Sequence, residues 1–219
     1  MKRIRALASL FLAAMMLALL TFPAAAAAGH QAYMNGYGNG VFGPDRAMTR
    51  AETITVLARL YGRDADGYAS SCSYVDVPTD NWAAPYVGYA QSMGYLDKVY
   101  GRVSTFNPDE PITRAEFVVL LIEFTDTNIR GTSTVGRFND TASHWAAAYI
   151  NYANDKGWVN GVGDNNFAPE DSLTRAQICA IINRMSGRTC DDIPNATGFT
   201  DVSTGHWAYR DIMEASTTH

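Results

Sequence analysis

Apolar residues recur along this chain with the 3.6-residue period of an α-helix, in two kinds of segment that alternate. In the first kind a tryptophan opens the segment and one apolar face follows, as at Trp145, Tyr149, Tyr152 and Ala153. In the second kind a threonine precedes the apolar stripe, as before Phe117, Leu120, Leu121 and Phe124. Glycine-rich loops that end in an aromatic residue and a proline separate the segments, and such loops cannot continue a helix. The pattern predicts a mainly α protein built from helix-loop-helix units.

These units form an internal repeat. Thr-Arg-Ala-Glu occurs at 49–52 and again at 113–116, and Thr-Arg-Ala-Gln occurs at 174–177. A second motif, aromatic-x-Asp followed by a tryptophan, recurs with the same order and spacing. Its aspartates are Asp76, Asp140 and Asp201, and its tryptophans are Trp82, Trp145 and Trp207. Two independent markers with one period predict a repeat architecture.

Only two of the repeats are whole. Residues 74–124 and 138–186 contain both helices, whereas residues 34–61 lack the first helix and residues 199–215 lack the second. An amphipathic helix without a partner leaves its apolar stripe in water, at a cost of roughly 25 cal/mol per Å². Because the two half repeats are complementary, we predict that the ends of the chain meet and complete a third repeat.

The first residues carry a different signal. Lys2, Arg3 and Arg5 precede an apolar run over 6–22 and a small-residue stretch over 24–28, which together match a secretory signal peptide. We predict removal of residues 1–28 and a single domain over 29–219, with an uncleaved membrane anchor as the alternative interpretation. No later segment predicts a transmembrane helix, and the signal peptide predicts export of the protein.

Charge and motif content narrow the function classes. The formal net charge of −5 becomes −8 once the three basic residues of the leader are removed, which argues against nucleic acid as a partner. The sequence has no G-x-S-x-G, H-E-x-x-H or phosphate-binding loop, so we predict that the protein is not an enzyme and needs no metal or cofactor. His144 and His206 align with Asn81, which favours a capping role over catalysis.

The three cysteines suggest no metal site, because no Cys-x-x-Cys or Cys/His cluster is present. Cys179 lies among isoleucines and is expected in the core. Cys72 and Cys190 lie in loop-like segments, where a disulfide between them is one interpretation.

The arginine of the repeated motif is its least expected residue. Thr-x-x-Glu or Thr-x-x-Gln before an apolar run is a capping box, so stability alone explains those positions. A cation in the first helical turn opposes the helix macrodipole, yet it occurs three times, at Arg50, Arg114 and Arg175. One interpretation is that these arginines hold an anion beside the helix N-terminus. The other is an ion pair with Asp45, Asp109 or Asp171.

The tryptophans and aspartates also have two interpretations each. A large aromatic at helical spacing normally buries, so a core position is favoured for the tryptophans over a platform for a ligand. The aspartates are typical of turns and caps, and that interpretation is favoured over contact with a ligand.

Taken in order, F-x-D, H-W-A, G-x-x-x-G-x-F-x-P and T-R-A-E, the motifs resemble the S-layer homology module over nearly all of residues 34–215. The resemblance implies helical modules associated around a pseudo-three-fold axis. It also implies non-covalent attachment to the cell wall, usually to a pyruvylated secondary wall polysaccharide and in some bacteria to peptidoglycan. The alternatives are a subunit of a self-assembling surface layer, a peptidoglycan-associated envelope protein and an undetected hydrolase, with self-association as a further expectation.

The resemblance further implies which residues line the grooves between modules. They are Arg50, Arg114, Arg175, Trp82, Trp145, Trp207, Asp76, Asp140, Asp201, Gly36 and Gly161. The repeat over 74–124 departs from the family pattern, because its loop between Gly94 and Phe106 is longer than the matching loop between Gly157 and Phe167. On the premise that each arginine works with its own loop, Arg175 and Arg50 are the preferred ligand contacts and Arg114 is the one expected to be idle.

Overall fold

The computed structural model describes residues 30–190 and 198–219, so the predicted signal peptide lies outside the described residues. Within the described ranges the chain forms seven α-helices and no strand. They are α1 (Arg50–Leu60), α2 (Ala84–Ser92), α3 (Asp97–Tyr100), α4 (Arg114–Phe124), α5 (Ala147–Asp155), α6 (Arg175–Ser186) and α7 (Tyr209–Ser216). None of these helices is long and apolar enough to cross a membrane. The prediction of a mainly α fold is confirmed.

The long helices α1, α4 and α6 all begin at the predicted capping box. The hydroxyls of Thr49, Thr113 and Thr174 accept a hydrogen bond from the backbone N–H three residues on, and the side chain at that position accepts one from the threonine N–H. Each box satisfies two of the N–H groups that a helix N-terminus leaves without partners. The helices α2, α5 and α7 begin two residues after their tryptophans, so each tryptophan precedes its helix.

A cyclic set of three backbone hydrogen bonds marks the centre of the fold. The N–H of Met48 donates to the Leu173 carbonyl (3.0 Å), that of Ile112 to Met48 (2.9 Å), and that of Leu173 to Ile112 (3.1 Å). All three side chains are fully buried. Because three equivalent segments close this ring on one another, they lie around an axis of approximate three-fold symmetry. The predicted pseudo-three-fold arrangement is confirmed.

We name the three units as modules. Module 1 consists of residues 34–61 and 199–215, module 2 of residues 74–124, and module 3 of residues 138–186. In modules 2 and 3 the motif aspartate accepts hydrogen bonds from two consecutive backbone N–H groups at the end of the glycine loop. The bonds run from Phe106 and Asn107 to Asp76, and from Phe167 and Ala168 to Asp140. Each aspartate therefore ties the start of its module to the loop before the long helix.

Module 1 repeats this bond between the two ends of the chain. The Asp201 carboxylate accepts from the N–H groups of Phe42 (2.8 Å) and Gly43 (2.7 Å). The Ala215 carbonyl in α7 also accepts from the N–H groups of Tyr33 and Met34, both at 3.0 Å. The two half repeats thus assemble into the third unit of the bundle, as the sequence predicts.

Within the described residues no disulfide joins Cys72 and Cys190. Cys179 is fully buried in the core, as expected. The fold is stabilised by the capping boxes, the central ring and the aspartate braces.

Candidate functional site

The motif arginines reach across module boundaries. Arg175, from module 3, donates from Nε to the Phe42 carbonyl (2.8 Å) and from Nη2 to the Asn35 carbonyl (2.5 Å), both in module 1. Its guanidinium lies over the rings of Phe42 and Tyr37, at 4.6 and 4.4 Å. Only 4% of the residue is exposed, so this arginine is the most enclosed of the three.

Arg114, from module 2, repeats the arrangement against the loop of module 3. It donates from Nε to the Phe167 carbonyl (2.8 Å) and from Nη2 to the Asn160 carbonyl (3.1 Å), and it lies 4.5 Å over the Phe167 ring. Burial lowers the pKa of this guanidinium despite the opposing effects of Asp171 and Asp140. Neutral carbonyls and a ring face hold the charge, and within the described residues no carboxylate forms an ion pair with it.

Arg50 behaves differently. It donates from Nη2 to Glu116 (2.9 Å), pairs with Glu110 (2.9 Å) and reaches the Phe106 carbonyl (3.2 Å). Burial alone would lower the pKa of Arg50, but Tyr100, Glu116 and Glu110 raise it above its ordinary value. Its charge is therefore neutralised by side chains of the protein itself.

The expected ion pairs with Asp45, Asp109 or Asp171 are not among those of the described residues. That interpretation of the motif arginines is wrong. The premise that each arginine uses its own loop is also wrong, because each one binds the loop of the following module. The long loop of module 2 therefore contacts Arg50, whereas Arg114 contacts the loop of module 3.

A single loop position explains why module 2 differs. Counting back six residues from the loop phenylalanine gives Gly36, Gly161 and, in module 2, Tyr100. A Cβ on Gly161 would lie 2.6 Å from the Asn166 carbonyl oxygen, and one on Gly36 would lie 2.7 Å from a carbonyl oxygen and 2.6 Å from a phenylalanine ring. No side chain fits that loop path, so the segment with Tyr100 takes another path and forms α3.

Two open grooves lie beside the two loops that keep this glycine, those of modules 1 and 3. Groove A, of about 180 Å³, is lined by Arg175, Asn35, Gly36, Tyr37, Glu52, Thr55, Val56, Arg59 and Trp82. Groove B, of about 250 Å³, is lined by Arg114, Asn160, Gly161, Val162, Gln177, Ala180, Ile181, Arg184 and Trp207. Each groove draws its motif arginine from one module, its loop and long helix from the next, and its tryptophan from the third.

The third position around the axis, which we name groove C, lacks the matching features. Tyr100 replaces the loop glycine and lies under Arg50, at 4.7 Å. Glu123 stands where the other long helices carry Arg59 and Arg184, and it accepts a hydrogen bond from the Tyr149 hydroxyl (2.6 Å). Groove C therefore has its arginine neutralised and a carboxylate in place of the second cation.

The tryptophans lie on the surface. Trp82, Trp145 and Trp207 are 59%, 51% and 64% exposed, so the favoured core position is wrong for all three. An exposed tryptophan offers a flat apolar face, which is the surface that sugars stack upon. Trp82 lines groove A and Trp207 lines groove B.

The aspartates and histidines have bracing and capping positions. Burial would raise the carboxyl pKa of Asp140 and Asp201, but hydrogen bonds from loop N–H groups outweigh it and lower the pKa of both. His144 and His206 accept a backbone N–H two residues on through Nδ1 (3.1 Å), and Asn81 does the same through Oδ1 (2.9 Å). The two histidines thus have the satisfied surface or cap role expected of them, because each binds the backbone N–H of the alanine that caps the helix.

Comparison with known proteins agrees with this geometry. The family described as S-layer homology domain matches residues 23–54, 73–118 and 137–179. This chain belongs to the S-layer homology family. Cell surface glycoprotein 1 of Acetivibrio thermocellus is 35% identical over 209 residues, covering 90% of this chain and 9% of that protein.

Two further relatives share the S-layer homology domain. The cellulosome-anchoring protein of Acetivibrio thermocellus is 35% identical over 87% of this chain and 43% of its own length. A cell surface protein of Thermoanaerobacter kivui is 30% identical over 74% of this chain and 20% of its own length. The chain thus spans less than half the length of these relatives. The predicted location, secreted and attached at the cell wall, is confirmed.

Sequence reasoning missed several groove residues of this S-layer homology domain. Arg59 and Arg184 stand ten residues after the capping threonine of α1 and α6, and that shared spacing could have revealed them. Gln177 was explained as a capping residue alone, and Tyr37 lies at a position where the repeats differ, so no repeated pattern marked it.

Proposed function

We propose that this S-layer homology domain anchors its protein to the cell wall by binding an anionic wall polysaccharide in grooves A and B. One observation carries the proposal: each groove combines two arginines with an exposed tryptophan. A pyruvate ketal on a sugar offers a carboxylate and a small apolar face. The arginines would hold the carboxylate by charge-assisted hydrogen bonds, and the tryptophan would cover the sugar ring.

The charge available in the grooves supports an anion as ligand. Arg114 donates two hydrogen bonds to backbone carbonyls, and Arg175 donates two to carbonyls and one to the Met48 sulfur (3.5 Å), whereas a guanidinium carries five N–H donors. Arg59 and Arg184 are exposed and line grooves A and B respectively. A ligand carboxylate in groove A or B would therefore meet positive charge from two sides.

The groove linings support binding without catalysis. Groove B is lined by no aspartate, glutamate or histidine within the described residues, and the single carboxylate of groove A, Glu52, is hydrogen-bonded in the cap of α1. A hydrolase needs a positioned acid and base or nucleophile at the bond that it breaks. We therefore propose a binding module and no enzyme activity for this domain.

Co-sedimentation with purified cell walls tests the anchoring function. The parent protein is mixed with walls that carry pyruvylated polysaccharide, with the same walls after removal of the pyruvate, and with bare peptidoglycan. We expect sedimentation only with the pyruvylated walls, and its loss in the Arg114→Ala/Arg175→Ala double variant. The Arg50→Ala variant is the matched control and should sediment like the parent once its fold is verified.

Two results would overturn the proposal. Equal sedimentation with pyruvylated and depyruvylated walls would show that the anion is not recognised. Equal sedimentation with bare peptidoglycan would assign the anchoring to peptidoglycan.

A further inference from the structure

We propose that a glutamate at the third residue of a long helix closes its groove to an anionic ligand unless its free oxygen is bound elsewhere, because it then competes for the arginine that the ligand needs. The inference rests on the proposed function and deepens it. The three positions are Glu52 in groove A, Glu116 in groove C and Gln177 in groove B.

Groove C shows the competition directly. Glu116 uses Oε2 to accept the Thr113 N–H in the capping box (3.0 Å) and Oε1 to accept from Arg50 Nη2 (2.9 Å). The two side chains are only 12% and 15% exposed, so the pair is sheltered from water and from salt. One glutamate thus caps its own helix and captures the arginine of the preceding module at the same time.

In groove B the motif arginine is not bound in this way, because the third residue of the long helix is a glutamine. Gln177 accepts the Thr174 N–H through Oε1 (2.9 Å), so the capping box is intact. The other end of its side chain is an amide NH₂, which donates and cannot accept from Arg114. The substitution leaves the helix cap unchanged and removes the competing negative charge.

Groove A has the glutamate but holds it elsewhere. Glu52 accepts the Thr49 N–H through Oε2 (3.0 Å), and its Oε1 accepts from the Tyr37 hydroxyl (2.9 Å) and lies 3.6 Å from Arg46. The Tyr37 ring stacks under Arg175 and Arg46, at 4.4 Å from each. The tyrosine therefore separates Glu52 from Arg175 while binding its free oxygen. Groove B has Val162 at the loop position of Tyr37 and Gln177 at the helix position of Glu52, so it contains neither the tyrosine nor the glutamate of this pair.

Titration calorimetry on single-groove proteins tests this inference. The probe is a monosaccharide carrying a pyruvate ketal, compared with the same sugar without the ketal. Arg175→Ala leaves groove B as the open site, and adding Gln177→Glu should weaken binding of the ketal sugar about tenfold or more. The melting temperature should not change, since glutamate closes the same capping box. Binding of the ketal-free sugar should also stay the same.

The converse test uses groove A. Arg114→Ala leaves groove A as the open site, and Tyr37→Phe keeps the ring but releases Glu52, which should weaken binding of the ketal sugar. Adding Glu52→Gln should then restore the affinity. This restoration distinguishes competition by charge from loss of a ligand contact at Tyr37. Should the Gln177→Glu protein fail to fold, the groove A pair decides the question.

The outcomes separate this inference from the proposed function. If neither single-groove protein prefers the ketal sugar, the anion-binding function is wrong and the inference with it. If both prefer it, but Gln177→Glu binds as tightly as its parent or Glu52→Gln does not restore the Tyr37→Phe protein, the inference alone is overturned.

Discussion

Replacement of Asp201 by alanine tests the seam between the two ends of the chain. The carboxylate accepts the N–H groups of Phe42 (2.8 Å) and Gly43 (2.7 Å), which lie about 160 positions away along the sequence. The Asp140→Ala variant removes the same pair of bonds within continuous chain, to Phe167 and Ala168. The two variants are a matched pair that differs only in whether the ends of the chain are joined.

The structure sets the size of the effect. A hydrogen bond to a charged group contributes about 1.5 to 3 kcal/mol, and the exposure of Asp201 places its two bonds at the lower end of that range. The expected loss in the free energy of unfolding is therefore about 2–4 kcal/mol. For a domain of this length each kcal/mol shifts the melting temperature by about 2–4 °C, so the shift should be about 5–15 °C.

Differential scanning calorimetry at neutral pH measures this shift. We expect one transition for parent and variants, lowered by a similar amount in Asp201→Ala and Asp140→Ala. If Asp140→Ala melts lower while Asp201→Ala melts like the parent, the bonds across the seam carry no stability and the reasoning is refuted.

Three further predictions address the loop, the aspartates and the C-terminal half repeat. Gly161→Ala should destabilise the domain by about 1–3 kcal/mol, because its Cβ would lie 2.6 Å from a backbone oxygen, whereas Gly205→Ala, with its nearest neighbour at 3.9 Å, should unfold near the parent midpoint in urea. Because the carboxyl pKa of Asp140 and of Asp201 is lowered in the fold, ionisation of these groups stabilises the domain above the unfolded pKa of about 3.8, and this stabilisation is lost as the pH falls through the folded values. At pH values below about 4 the urea concentration at the unfolding midpoint should therefore fall, and it should fall less in the Asp140→Asn/Asp201→Asn double variant. Equal acid sensitivity of the two proteins would contradict this. Deletion of residues 199–219 should lower the melting temperature of the whole domain in one cooperative transition, and an unchanged melting curve would argue against closure of the bundle.

Much of the fold was predictable because the repeated motifs carry local physics. The capping boxes at Thr49, Thr113 and Thr174 follow from four residues and fix where the long helices begin. The joining of the two half repeats follows from the need to cover an apolar stripe. These features depend on residues near one another in sequence or on burial alone.

The site was less predictable because it forms between modules. No spacing within one repeat shows that Arg114 binds the loop that holds Phe167, 53 residues further on, so the premise that each arginine uses its own loop was wrong. The helical period of the tryptophans suggested burial, but each one precedes its helix and points outward. The pairing of Arg50 with Glu116 and its contact with the Tyr100 ring join residues of two modules, which only the assembled fold reveals.

The number of ketal sugars bound per chain tests the central claim most directly. Isothermal titration of the parent with a pyruvylated monosaccharide should give two sites per chain, one site in Arg114→Ala and in Arg175→Ala, and none in the double variant, while Arg50→Ala retains two. Three sites in the parent, or loss of a site in a correctly folded Arg50→Ala protein, would contradict the assignment of grooves A and B as the open grooves and groove C as the closed one.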